Sequence, residues 1–169
     1  ANTCAPGGTE LAEQTCRLAA EAIGAEAKDV IVCSTGVIGE SLSIKPFEQG
    51  IKPLVSSLSR QGGTMAAEAI MTTDTVSKEC AVEFQLEGVT CRLGAAAKGS
   101  GMIHPNMATM LCFLTTDAAI SPDMLQKALS EDIKDTFNQI SVDGDTSTND
   151  MVTIMANGLA GNREITEQG

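Results

Sequence analysis

The chain has 169 residues, 43% of them hydrophobic and 20% charged, a length and balance that fit one globular domain or part of a larger one. Acids outnumber bases by 22 to 11, and the resulting formal charge of −11 lacks the basic footprint that nucleic acid or an anionic membrane surface requires. Four Phe, no Trp and no Tyr imply an aliphatic core and argue against single-stranded nucleic acid, whose binders lean on aromatic stacking.

Residues 1–8 read as a loop. Thr9 is expected to cap a helix running to Ile23, with Glu10 in its first turn and Gly24 ending it. The apolar run Asp-Val-Ile-Val-Cys at 29–33 is expected as a central strand, with Ser34-Thr35-Gly36 as the turn at its end. Residues 45–58 look helical, limited in regularity by Pro46 and Pro53. A short Ala-rich helix begins at Thr64 and runs towards Met71. Residues 81–86 and 89–93 alternate in polarity around Glu87-Gly88 and read as a hairpin.

A small-residue loop with Gly99, Ser100, Gly101 and Pro105 follows, and then a buried strand over 109–116. Ser121-Pro122-Asp123 is a helix start with cap, first-turn proline and first-turn acid. Leu125, Leu129, Ile133, Phe137 and Ile140 mark one face of that helix, and 151–155 form a last strand. The alternation predicts an α/β (α+β) fold with sheet and helices in layers. No repeat or long linker divides the chain, so it reads as a single domain over 1–169.

Six cysteines (Cys4, Cys16, Cys33, Cys80, Cys91, Cys112) are scattered without a CxxC pair. Cys33 and Cys112 lie in apolar runs, where free Cys behaves as a small hydrophobe, so a reducing, cytoplasmic setting is expected. No run approaches the roughly 20 apolar residues that span a bilayer. Asp143-Gly144-Asp145 opens like a calcium loop but fails as one, since Thr148 stands at the sharp-turn glycine and Ile154 at the bidentate glutamate. His104 is the only histidine and has no acid or metal partner visible in the sequence. No metal site is expected.

The richest stretch is 98–117, Lys-Gly-Ser-Gly-Met-Ile-His-Pro-Asn-Met-Ala-Thr-Met-Leu-Cys-Phe-Leu-Thr-Thr-Asp. A strand holding Thr109, a loop before it and small Ala108 suit a self-cleaving N-terminal nucleophile. After cleavage the new α-amine, titrating near neutral pH, can serve as base for the hydroxyl of the same residue. An Ala-Thr pair beside a strand is by itself weak, because a β-branched residue opening a strand is the commoner meaning.

The wording is more specific. This segment resembles the ornithine acetyltransferase (glutamate N-acetyltransferase) family, in which the Ala-Thr bond of a matching motif is autocleaved. Ser34-Thr35-Gly36-Val37-Ile38-Gly39, Ala69-Ile70-Met71-Thr72-Thr73-Asp74 and Asp143-Gly144-Asp145 through Ser147-Thr148-Asn149-Asp150 match in the same order. The resemblance covers essentially the whole chain and reads as a central fragment of the family's length.

What the resemblance implies is a self-processing acetyltransferase of arginine biosynthesis, cleaved between Ala108 and Thr109 into a 1–108 part and a part starting at 109. Thr109 would attack the acetyl carbonyl of N2-acetylornithine, and glutamate would take the acetyl group in a ping-pong transfer. Thr35 and Gly36 match the oxyanion hole, and Thr72, Lys98 and Thr109 match substrate-binding positions. Without the resemblance, Gly36 would be read as a turn glycine, Thr72 as a cap and Lys98 as a solvated lysine. Lys98 nevertheless stands between Ala95-Ala96-Ala97 and a glycine loop rather than in a charged run. No cofactor is implied, and whether acetyl-CoA also serves as donor is left open.

The resemblance also implies that the two cleaved parts associate as a heterotetramer. Further substrate ligands would lie beyond Gly169, so these residues alone are not expected to catalyse transfer. Two alternatives remain: a self-processing amidase or aminopeptidase-type hydrolase, and a non-catalytic fragment of the fold.

Overall fold

The computed structural model describes residues 6–37, 39–104, 107–108, 110–147 and 149–168. The chain divides into two compact units, Ala1–Gly62 and Gly63–Gly169.

In the first unit, helix α1 spans Gly8–Ile23 and α2 spans Lys45–Ser56. Gly7, in the left-handed region at φ 82°, occupies the N-cap of α1, and no side chain caps it. Thr9 therefore sits two residues inside the position expected of it, displaced by a glycine that needs no side chain to turn the backbone. Gly24 ends the helix as expected, at φ 75° with its N–H donating to the Ala20 carbonyl.

The strand expected over 29–33 is not formed among the described residues. A single 3₁₀ turn, Ala27–Asp29, leads into irregular chain through Val37. A strand exists only through a partner's hydrogen bonds, and no described strand of this unit offers them. The Val30 carbonyl instead accepts from the Cys16 thiol at 3.4 Å.

The second unit is built on a four-stranded sheet whose strands lie side by side in the order Lys78–Leu86, Val89–Lys98, Leu111–Thr116 and Met151–Ala156. Helix α3, Gly63–Ala69, precedes it. Strands β1 (Lys78–Leu86) and β2 (Val89–Lys98) form the expected hairpin, longer than the alternation alone suggested. Leu86 pairs with Val89, so the loop is two residues long. Glu87 at φ 49° and Gly88 at φ 85° give both central positions the positive φ of a type I′ turn, whose twist matches the flanking strands.

Strand β5, Leu111–Thr116, pairs antiparallel with β2 and parallel with β6, Met151–Ala156. Parallel neighbours need a crossover, and helix α4, Pro122–Asp132, lies within it. Ser121 caps α4 by accepting from the Met124 N–H at 3.4 Å. Ser121→Ala is expected to cost about 1 kcal/mol, read as a lower urea midpoint at unchanged slope.

The apolar face that continues to Ile140 does not remain one helix. The Thr136 hydroxyl donates to the Asp132 carbonyl at 2.8 Å, and a 3₁₀ turn follows at Phe137–Gln139. Local side-chain bonding of this kind competes with the helical ladder. The buried apolar residues are small or aliphatic, among them Ala67, Cys91, Leu111, Cys112 and Ala118. Among the described residues no helix is long and apolar enough to cross a membrane.

Candidate active site

The site begins at the loop after α3. Asp74, whose side chain has no exposed surface, gathers three hydrogen-bond donors and a second ammonium. Oδ1 accepts from the Lys78 ammonium at 2.6 Å and the Gly99 N–H at 2.7 Å. Oδ2 accepts from the Thr72 N–H at 3.2 Å and lies 3.8 Å from the Lys98 ammonium. Thr73 and Ser100 share a hydroxyl hydrogen bond of 2.7 Å. The Thr72-Thr73-Asp74 loop is thus stitched to the end of β2, where the glycine segment starts.

Burial by itself would raise the Asp74 pKa. The hydrogen bond from Lys78, the Gly99 and Thr72 amides and the Lys78 charge outweigh it, and hold the carboxyl well below the usual carboxylate range. Lys98 is only 3% exposed, so it is not the solvated lysine of the plainer reading. With Asp74 counted as −1 and Lys78 and Lys98 as +1 each, the cluster carries a net +1. Lys78 stands at hydrogen-bonding distance from the carboxylate and Lys98 farther off.

The segment that follows is clamped from the acidic motif. Met102 occupies the left-handed region at φ 57°, uncommon for such a side chain. Its N–H donates to Asp143 Oδ2 at 3.1 Å. A Cβ on Gly101 would lie 2.9 Å from that same oxygen, so with any other residue there the Asp143 carboxylate would have to shift. The expected loop contains a short ladder, β3 (Ile103–His104) with β4 (Met107–Ala108), in which Ile103 pairs with Ala108.

Thr109 and Thr148 lie outside the described residues. Met110, bonded to Thr109, is held on both sides: its N–H donates to Asp150 Oδ1 at 2.9 Å, and its carbonyl accepts from the Met151 N–H at 2.9 Å. Thr72 and Lys98 are therefore brought together through Asp74. Thr35 and Gly36 belong to the first unit, half-buried in the irregular chain after Val30. Among the described residues no group of three or more His, Cys, Asp or Glu is placed to hold a metal.

Sequence reasoning missed three carboxylates, Asp74, Asp143 and Asp150. Each receives a backbone N–H of the segment from 99 to 110. Only Asp74 carried a usable signal, a lysine four residues on at Lys78. The other two are linked to their donors across 41 and 40 residues, which no local spacing reveals.

A four-stranded sheet layered with helices, carrying a glycine segment clamped by three carboxylates, one of them the buried Asp74, defines a mixed α/β protein. The ArgJ family profile matches residues 1–168, and the chain belongs to that family. It is 54% identical over 166 residues to the arginine biosynthesis bifunctional protein ArgJ of Symbiobacterium thermophilum, covering 98% of this chain and 41% of that protein. The protein of the same name from Synechocystis is 48% identical over 162 residues, covering 96% and 39%. The chain thus spans about two-fifths of the length of these relatives. The crystal structure of the arginine biosynthesis bifunctional protein ArgJ from Bacillus halodurans is similar at a TM-score of 0.53 and 39% identity, over 59% of this chain and 52% of that one.

Proposed function

We propose that these residues form part of an acetyltransferase of arginine biosynthesis that moves the acetyl group of N2-acetylornithine to glutamate through an acetyl-Thr109 intermediate. The observation that carries this reading is the Asp74 cluster. It sets a buried, incompletely compensated Lys98 beside the Thr72 loop, at the head of the segment leading to Thr109. Family membership supports it.

In maturation the Thr109 hydroxyl attacks the Ala108 carbonyl. The C–O bond forms, the C–N bond breaks, and the departing nitrogen takes a proton. Water then hydrolyses the ester, leaving a carboxylate on Ala108 and a free amine on Thr109. In transfer the same hydroxyl attacks the acetyl carbonyl, the amine accepts its proton, and ornithine leaves. Thr35 and Gly36 are proposed to donate to the oxyanion, worth on the order of 3 kcal/mol in the transition state. Acetyl-CoA would acetylate the same hydroxyl by loss of its thiol.

The full-length protein given acetylornithine without glutamate should release one equivalent of ornithine and retain one acetyl group on Thr109. Steady release of acetate instead would favour the hydrolase reading. The same adduct formed from acetyl-CoA tests the second donor. Lys98→Met keeps much of the stem and removes the charge, so acetylornithine should bind at least tenfold more weakly, about 1.4 kcal/mol. Unchanged kinetics across substrate concentrations would assign Lys98 a packing role.

The partners proposed are the two small substrates and a second copy of the cleaved pair, in a heterotetramer. Exposed apolar side chains in both units, such as Leu54 and Leu58 in the first and Val82 and Met155 in the second, are the kind of surface such association covers. A cytoplasmic setting is proposed from the free cysteines (Cys91 and Cys112 buried, Cys80 exposed).

A further inference from the structure

Asp74 and Lys98 have roles in the proposed transfer, and Asp150 has none. Asp150 lines a cavity of about 210 Å³ whose apolar wall includes Met110, Leu129, Ile133 and Phe137. Its two oxygens are treated differently. Oδ1 accepts the Met110 N–H at 2.9 Å. Oδ2 is buried and has no hydrogen-bond partner among the described residues. Buried polar atoms are almost always satisfied, so such an exception calls for an explanation.

Met110 precedes the first pair of the β5–β6 ladder, Leu111 with Met151. The ladder holds the Met110 carbonyl through the Met151 N–H, while the Met110 N–H is taken by a side chain. That N–H belongs to the peptide unit joining Thr109 to Met110. A planar peptide unit moves as one body, so whatever fixes this amide limits how the Thr109 backbone can turn.

We infer that Asp150 is a positioning residue for Thr109: lining an apolar cavity, its carboxyl accepts the Met110 N–H and fixes the peptide unit that carries the nucleophile. Burial raises its pKa, against the opposing hydrogen bonds from the Met110 amide and the Ser147 side chain. The Met110 N–H is thus the backbone donor that orients this carboxyl in its cavity. The inference rests on the reading of Thr109 as a self-cleaving nucleophile.

The test uses the intact chain and three variants, with cleavage followed in time by denaturing mass spectrometry and folding by circular dichroism. Asp150→Asn keeps the shape of the side chain and an acceptor for Met110, so it should cleave within about threefold of the parent. Asp150→Leu fills the space without an acceptor. It should cleave at least about tenfold more slowly while folded, since small misplacements of a reacting group cost up to about 100-fold. Thr109→Ala is the blank.

A folded Asp150→Leu protein that cleaves at the parental rate overturns the inference. So does an Asp150→Asn protein slowed tenfold, and that arm decides the matter even if the leucine variant does not fold. If the parent itself stays whole, the nucleophile reading fails and this inference with it. If the parent cleaves, Thr109→Ala does not and Asp150→Leu matches the parent, this inference alone fails.

Discussion

Asp74→Leu is expected to destabilise the second unit by roughly 3–5 kcal/mol, the range for removing one partner of a buried charged pair. The loss has two sources. Lys98, 3% exposed, is left as a buried cation without its carboxylate, and the Gly99 and Thr72 amides lose their acceptor. Asp74→Asn keeps an acceptor and should cost less, yet it removes the same negative charge.

The pH dependence has a definite sign. The Asp74 pKa is lowered in the folded protein, so its contribution is complete above the ordinary value of about 3.9 and is lost as pH falls below it. Urea midpoints of the parent should therefore drop as pH is taken from about 5 towards about 2, and those of Asp74→Asn should drop less. A leucine variant within about 1 kcal/mol of the parent at neutral pH would show that the cluster is not a buried one in solution.

Thr109→Ala is expected to abolish cleavage of the Ala108–Thr109 bond outright, because alanine has no oxygen to form the ester. Thr109→Ser and Thr109→Cys retain a nucleophilic atom and should cleave more slowly, serine because it lacks the methyl that restricts rotation about χ1. Incubation of purified variants under protease-free conditions, with intact masses recorded over time, separates the three. An alanine variant that still splits at this bond would assign the cleavage to another agent.

Local chemistry was legible in the sequence and long-range pairing was not. Glu87-Gly88 between alternating runs fixed the β1–β2 hairpin, because a two-residue loop with positive φ admits few residues. Ser121-Pro122-Asp123 fixed the start of α4. The run at 29–33 carried the composition of a strand, but composition does not supply a partner, and the described chain is irregular there. The apolar face reaching Ile140 carried the period of a helix, yet Thr136 turned its hydroxyl on the Asp132 carbonyl.

The candidate site follows the same division. Thr72 and Lys98 were legible through the motifs that contain them. The carboxylate that joins them, and the ones that clamp Met102 and Met110, act across 24 to 41 residues of chain. Their meaning comes from register: Lys98 ends β2 opposite Leu111, which opens β5, and this brings the two ends of the 99–110 segment together.

The central claim is that Thr109 is made into an N-terminal nucleophile by the chain itself. The most direct measurement is the denaturing mass spectrum of the parent protein after purification, with sequencing of any new N-terminus. Two polypeptides whose masses sum to that of the chain plus one water, the second beginning Thr-Met-Leu-Cys, are the predicted result. A single unbroken polypeptide after prolonged incubation, or a new N-terminus at any other residue, would contradict it.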